Sequence, residues 1–104
     1  METQLKGQAT AEQVTKWKSE YTNGIYSVVI DDHVAYFKKP TRHDMNCAMS
    51  KANKDAALDL FEELANLTFI GGSADVIEVD ELFFGLVDQL KTVIEGKKAR
   101  MVNL

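Results

Sequence analysis

The segment spanning residues 24–45 constrains the fold of this chain more than any other part of the sequence. Two runs, residues 25–30 and 34–37, are rich in β-branched and aromatic residues, and the three polar residues between them are typical of a tight turn. Pro40 follows the second run, and because proline cannot donate a hydrogen bond to a sheet, that strand must end there or run along an edge. The sequence therefore predicts a β-hairpin at about residues 25–37.

Helical patterns lie on both sides of this hairpin. Thr10 and Gln13 form a capping-box pattern, and the apolar residues that follow them have helical spacing. These features predict one helix before the hairpin, closed by Asn23-Gly24. After the proline, apolar stripes and capping residues predict three more helices: from about Arg42 to Lys51, from Asn53 or Lys54 to about Leu67, and from Asp80 to about Gly96.

The expected fold class is therefore α+β, with a β-hairpin, one preceding helix and three following helices in a single small domain. A chain of 104 residues has the length of one domain, and its 45% of hydrophobic residues suffices for a modest core. Residues 1–9 and 97–104 are expected to be flexible. The main core is expected to come from the two longest helices: Leu60, Phe61, Leu64, Phe83, Leu86, Val87 and Leu90.

The connection between these two helices carries further expectations. Residues 69–73 are expected to form a flexible loop. Asp80 is expected to cap the last helix, with Val79 and Phe84 as a hydrophobic staple around the cap. Three apolar residues in the connection are expected to add a short third strand or to fill the core: Val76, Ile77 and Val79.

The charge of the chain argues against nucleic acid as a partner. The formal net charge is -4 at pH 7, whereas binding to phosphates requires clustered Lys and Arg side chains. The single cysteine, Cys47, excludes an internal disulfide bond and is typical of a reducing compartment. No apolar run approaches the roughly 18 residues that span a bilayer, and residues 1–8 do not resemble a secretory signal. The expected location is the cytoplasm, with no membrane partner.

Residues that carry catalysis or bind metals are sparse. His43 and Cys47, spaced i, i+4 on one helix face, could supply two ligands to a transition metal, but a structural zinc site needs about four. Cys47 as a nucleophile would need an activating base and an oxyanion-binding group, and only His43 is near it in the sequence. Asp31 and Asp32 fit turn chemistry better than a catalytic pair. The Gly-Gly-Ser run at residues 71–73 lacks the rest of a phosphate-binding loop. The sequence predicts a non-enzymatic protein without metal or cofactor.

Binding to another protein is the function class that the apolar pattern favours. The helices and the hairpin carry more large apolar side chains than a domain of this size can easily bury, and the apolar face of the last predicted helix is broad. Phe83 is expected to lie in the core, with Leu82 and Phe84 at an interface beside it. The predicted protein-binding residues are Leu82, Phe84, Phe69 and Ile70.

Three short motifs within residues 25–94 carry a resemblance to a known family. The hairpin runs into Tyr36-Phe37-Lys38-Lys39-Pro40-Thr41, the acidic residue Asp44 comes early in the next helix, and Phe69-Ile70-Gly71-Gly72 precedes Asp80-Glu81-Leu82-Phe83. In this order of elements the chain resembles the small tail assembly chaperones and related tail-region proteins of long-tailed bacteriophages and prophages, particularly those of gut Bacteroidetes. The resemblance implies a non-enzymatic protein that binds the apolar, helix-prone tape-measure protein and keeps it soluble during tail assembly.

Two other hypotheses stay open at this point. The chain could be a small bacterial or phage adaptor or regulatory domain that acts as a homo-oligomer. From a different class, it could be a small enzyme that uses Cys47. A chaperone gene would stand immediately upstream of a very long tape-measure gene, so gene order separates the first two hypotheses. Alkylation of Cys47 tests the third.

Overall fold

Short helices and strands follow one another along the part of the chain that the structure describes. A computed structural model describes residues 5–53, 55–93 and 100–104. The elements are the helix α1 (Ala11–Glu20), the strands β1 (Ile25–Ile30) and β2 (His33–Lys38), the helices α2 (Arg42–Lys51) and α3 (Ala57–Thr68), the strand β3 (Phe69–Gly72), and the helices α4 (Asp75–Glu78) and α5 (Asp80–Val93). The predicted α+β class is confirmed. No helix in these ranges is long and apolar enough to cross a membrane.

The predicted hairpin is present, with β1 and β2 paired antiparallel and Ile30 opposite His33 at the turn. Asp31 and Asp32 form the two-residue connection, and Asp31 has a left-handed backbone conformation with φ 53°. Aspartate tolerates this conformation better than most residues, because its short polar side chain can hydrogen-bond locally. The polar turn therefore sets the register of the hairpin.

Residues 69–73 do not form the flexible loop that the sequence predicted. Most of this segment is β3, which pairs antiparallel with β2 and gives the sheet the order β1-β2-β3. Gly71 allows the close approach of α1, because a Cβ atom on this residue would lie 2.6 Å from the ring of Trp17. The glycines that suggested a loop thus permit tight packing on a strand.

The segment after β3 fills the core and does not add a strand. The single helical turn α4 places Val76 completely inside. Val79 separates α4 from α5, and its carbonyl accepts a hydrogen bond from the Phe83 backbone N–H at 2.8 Å. Asp80 is therefore the first residue of α5 and not its cap. Val79 and Phe84, the expected staple, are both exposed.

The sequence also predicted where α3 begins and where the last helix ends. α3 begins at Ala57, later than the predicted start at Asn53 or Lys54, because Ala56 occupies the N-cap position. Lys54 and the predicted helix end at Gly96 lie outside the described residues.

The sheet carries an apolar layer on each face, and alternate residues of β2 contribute to both. Ala35 and Phe37 belong to the larger cluster, with residues of α3, α4 and α5, whereas Val34 and Tyr36 pack with Trp17 of α1. Part of the predicted core is confirmed as buried: Leu64, Phe83, Leu86, Val87 and Leu90. Leu60 and Phe61 are only partly buried. Residues of the sheet complete the core instead. The helical spacing of apolar residues in the sequence could not show which strand residues these are.

Residues 5–9, expected to be loose, run beside the start of β2. The Lys6 N–H donates to the Asp32 carbonyl at 2.7 Å, and the Lys6 carbonyl accepts from the Val34 N–H at 2.9 Å. The Val34 carbonyl accepts from the Ser73 N–H at 2.8 Å. The segment therefore lies on the same side of β2 as β3.

α2 begins as the sequence predicted, with a reciprocal capping box. The Asp44 N–H donates to Thr41 Oγ1 at 3.1 Å, and the Thr41 N–H donates to Asp44 Oδ2 at 3.0 Å. Burial alone would raise the pKa of Asp44. Two effects outweigh burial and lower this pKa below its ordinary value: the hydrogen bonds with Thr41, and the positive charge of the Lys38 ammonium 3.6 Å away.

Candidate protein-binding groove

An open groove of about 640 Å³ lies between α3 and the α4–α5 segment. We call it the acidic groove, and its lining residues are Leu58, Glu62, Asn66, Ile77, Glu78, Asp80, Phe83 and Phe84.

The α3 wall of the acidic groove is one stripe of side chains. Leu58, Glu62 and Asn66 follow one another at i, i+4 and i+8, so they project from the same side of the helix. Leu58 is 45% exposed, whereas Leu64 and Ala65 on another side of α3 are buried. The apolar Leu58 is therefore left in the groove after α3 has packed onto the core.

The opposite wall is aromatic and aliphatic. Phe83 is buried and belongs to the larger core cluster, and Ile77 is partly buried against the same cluster. Phe84, the next residue of α5, is 55% exposed in the groove. The floor of the acidic groove thus continues into the core, and Leu58 and Phe84 remain as exposed apolar contacts.

Three carboxylates line the groove together with these apolar groups. Glu62 comes from α3, Glu78 ends α4, and Asp80 begins α5. No lysine or arginine is among the lining residues in the described part of the chain. A concave site with one sign of charge attracts partners of the opposite sign, so the groove favours cationic over anionic partners.

The structure does not bring the four predicted binding residues together. Phe84 lies in the acidic groove, but Leu82 is only 7% exposed and therefore does not offer an accessible contact. Phe69 and Ile70 are partly buried on β3 and point to opposite faces of the sheet, one to each core cluster. The difference arises because the direction of Leu82 depends on how α5 docks, and because residues 69–72 form a strand.

Sequence reasoning missed two apolar residues of the groove, Leu58 and Ile77. Leu58 stands apart from the stripe that buries α3, and an apolar residue on the outward side of a helix is the signal that could have indicated it. Ile77 offers no comparable signal, because its position follows from the turn α4 and not from a longer period.

The structure also brings Ser73 to Asp32 and His33, a contact that sequence spacing did not indicate. Ser73 Oγ is 2.8 Å from His33 Nδ1, and Asp32 Oδ1 is 3.5 Å from His33 Nε2. The other Asp32 carboxylate oxygen, Oδ2, is 3.2 Å from the ammonium of Lys6. The hydrogen bond from Lys6 is the largest cause that lowers the pKa of Asp32.

A serine, a histidine and an aspartate are the residue types of a nucleophilic triad, but their geometry favours a structural role here. The Ser73 backbone N–H, which could help to bind an oxyanion, donates to the Val34 carbonyl instead. Gly7 passes directly against the Ser73 backbone and leaves no room for a side chain of its own. The Asp32 carboxylate also forms an ion pair with Lys6, which lies in the same segment as Gly7. The contacts therefore fasten residues 5–9 and the β3–α4 junction to the hairpin turn.

His43 and Cys47, the two residues of α2 that the sequence analysis considered as metal ligands, lie next to each other. Cys47 Sγ is 3.5 Å from His43 Nε2, and Cys47 is partly buried. In the described ranges, no group of three or more His, Cys, Asp or Glu side chains could hold a metal ion. The pair supplies fewer ligands than a structural metal site uses.

No family model, no curated protein and no solved structure matches this chain.

Proposed function

We propose that the protein is a non-enzymatic binding protein that holds an apolar, helix-forming segment of another protein in the acidic groove. The observation that carries the proposal is the exposure of two large apolar side chains, Leu58 and Phe84, in one groove whose floor continues into the core. Single exposed apolar side chains are common, but apolar groups that converge in a concave site favour binding.

The charges of the groove define the client by its chemistry. A helix in such a groove would cover Leu58 and Phe84 with its own apolar stripe. Lysine or arginine residues beside that stripe would meet Glu62, Glu78 and Asp80 at the rim. Charges at a rim contribute to specificity and association rate more than to affinity, so the apolar contacts provide most of the binding energy.

The resemblance to phage tail assembly chaperones supports one particular client, the tape-measure protein. Under this proposal the acidic groove covers apolar, helix-prone segments of the tape-measure protein until the tail assembles. The protein would act in the cytoplasm of a bacterial host, without metal, cofactor or nucleic acid. Phe84 would be the central contact, and Leu58 and Ile77 would replace the buried Leu82 in the predicted set.

The variant Phe84→Glu tests this proposal. The exposed position of Phe84 allows the fold to be kept, while the new carboxylate removes an apolar contact from an already acidic site. We expect at least about a tenfold loss of affinity for the tape-measure protein and for a synthetic amphipathic helix with a lysine-flanked apolar stripe. Met49→Glu is the matched control, because Met49 is 60% exposed on α2 and does not line the groove.

The possible results distinguish a wrong client from a wrong binding site. Loss of both ligands with Phe84→Glu but not with Met49→Glu supports the whole proposal. Binding of the synthetic helix alone supports the groove and rejects the tape-measure protein as its client. Equal binding by the wild type and by a folded Phe84→Glu variant rejects the groove as the binding site.

A further inference from the structure

The outer edge of β1 carries backbone groups that point away from the sheet. β1 pairs with β2, and Ile30 and His33 flank a two-residue turn, which makes them a hydrogen-bonded pair. Hydrogen-bonded and outward-facing positions alternate along an antiparallel strand. The N–H and C=O groups of Ile25, Ser27 and Val29 therefore face away from β2.

The bonds of β2 agree with this alternation. Val34, the neighbour of His33, directs its N–H to Lys6 and its C=O to Ser73, on the side away from β1. At the other end of the hairpin, the Lys39 N–H donates to the Gly24 carbonyl at 3.0 Å. Within residues 5–53, 55–93 and 100–104, no backbone group bonds to the outward groups of β1.

The residues of β1 themselves include none of those that usually prevent strand pairing at an edge. Exposed edges are normally protected by charged residues, proline or a bulge. β1 has the sequence Ile-Tyr-Ser-Val-Val-Ile, without a charge or a proline, and its pairing with β2 runs without a bulge. Val29 is 56% exposed. Valine is also a strong strand former, so the edge favours pairing with a further strand. The strand is therefore a ready template for another strand.

We infer that two copies of this protein pair antiparallel through their β1 edges and join their sheets into one. Outward-facing residues pair only with one another, and the register that pairs all three places Ser27 opposite Ser27 of the second copy, on the two-fold axis, and Ile25 opposite Val29 of the second copy. This register forms about six hydrogen bonds between the copies. It also places an exposed valine beside an isoleucine on each side of the axis.

Charge complementarity favours a second copy as the occupant. In the antiparallel register, the turn residue Asp31 of one copy lies near the end of the other copy that carries Lys39. Both residues are exposed. A parallel arrangement would place Asp31 beside Asp31 of the second copy, which like-charge repulsion opposes. The edge thus fits its own copy in antiparallel orientation.

A cavity next to β1 gives the second copy a further apolar contact. About 250 Å³ of open space lies between α1 and β1, lined in part by Val14 and Ile25. Because Val29 of the second copy would stand beside Ile25, its side chain would lie at the mouth of this space. None of the residues that line the acidic groove lies on β1, so the inference does not rest on the proposed client binding.

The test is the oligomeric state of the full chain, measured by sedimentation velocity over micromolar to millimolar concentrations. The monomer mass is 11.6 kDa, and we expect the wild type to reach twice that mass. Ser27→Lys places like charges opposite each other on the axis, and Ser27→Pro removes an outward N–H without removing a bond to β2. Both variants should remain monomeric. Ser50→Lys, on the exposed side of α2, is the matched control and should dimerise like the wild type.

Amide hydrogen exchange of the wild type locates the interface. The amides of Ile25, Ser27 and Val29 should exchange more slowly as the dimer forms. A wild type that stays monomeric, or a dimer that persists in a folded Ser27→Lys variant, overturns the inference. So does protection of these amides in the monomer, because another segment of the same chain would then cover the edge. If Ser27→Pro fails to fold, Ser27→Lys and the exchange data still decide the question.

Discussion

The ring of Trp17 lies so close to the main chain of Gly71 that residue 71 has no room for a side chain. A Cβ atom on Gly71 would lie 2.6 Å from both Cη2 and Cζ2 of the indole. The same indole packs against Tyr36, with ring centroids 5.1 Å apart. This contact holds α1 against the central and third strands, and it explains why a glycine stands in a strand at this position.

We expect Gly71→Ala to lower the free energy of unfolding by about 1–3 kcal/mol, because the added methyl group would force the indole out of its place. Urea denaturation measures this loss. Gly85→Ala is the matched control: its Cβ would meet the Ile30 side chain at an ordinary 3.4 Å, and alanine in a helix is favoured over glycine by roughly 0.5–1 kcal/mol. A Gly71→Ala variant as stable as the wild type would show that the indole is free to move.

Truncation of a fully buried leucine should be costly. Leu64 on α3 and Leu90 on α5 are both completely buried. Leu64→Ala and Leu90→Ala should each lower the free energy of unfolding by roughly 2–5 kcal/mol, through lost burial and the cavity that remains. Thermal or urea denaturation measures the effect. Leu58→Ala, at an exposed position in the acidic groove, should cost less than about 1 kcal/mol. Equal effects at all three positions would contradict the assigned core.

Tyr26 should make stability depend on pH in the alkaline range. Its ring stacks on Phe37 at 5.7 Å, and its hydroxyl has no hydrogen-bond partner among the described residues. Burial raises the pKa of Tyr26 from 10.0 to about 12. The folded state thus binds the phenolic proton more tightly than the unfolded state. This contribution to stability is complete below pH 10 and is lost as the pH rises toward about 12.

Tyr26→Phe keeps the ring and removes the proton. At neutral pH we expect a stability equal to the wild type or higher by up to about 1 kcal/mol, because no hydrogen bond is lost. Between pH 10 and pH 12 the variant should lose less stability than the wild type, as urea denaturation at several pH values would show. Tyr21→Phe, which leaves Tyr26 in place, should retain the alkaline loss. A marked loss of stability at neutral pH would mean that the hydroxyl has a partner.

The sequence predicted correctly those elements that depend on interactions between residues a few positions apart. The turn at Asp31-Asp32 and the capping box of Thr41 and Asp44 depend on neighbours at most four positions away, and both the hairpin and the start of α2 were predicted correctly. Apolar periodicity likewise indicated α5 and most of its buried side. These features are determined by backbone preferences and side-chain spacing, which a sequence displays directly.

The candidate site was only partly predictable. The wide apolar face of the last helix indicated Phe84, which is exposed in the acidic groove, but the same argument selected Leu82, which is buried. Leu82 and Phe84 are two positions apart and differ by about 200° in direction, so they lie on nearly opposite sides of α5, and the docking of this helix buries one and exposes the other. Leu58 and Ile77 join Phe84 only because α3 and α4 pack beside each other.

The sequence by itself determined the hairpin turn, the start of α2 and most of the buried side of α5. Tertiary structure alone decided that Gly71 and Gly72 belong to a strand, because β3 exists only through its pairing with β2. It also joined His33 to Ser73, 40 positions apart. Contacts of this kind arise when separate elements meet, and their strength depends on distance in space, which spacing along the chain does not contain.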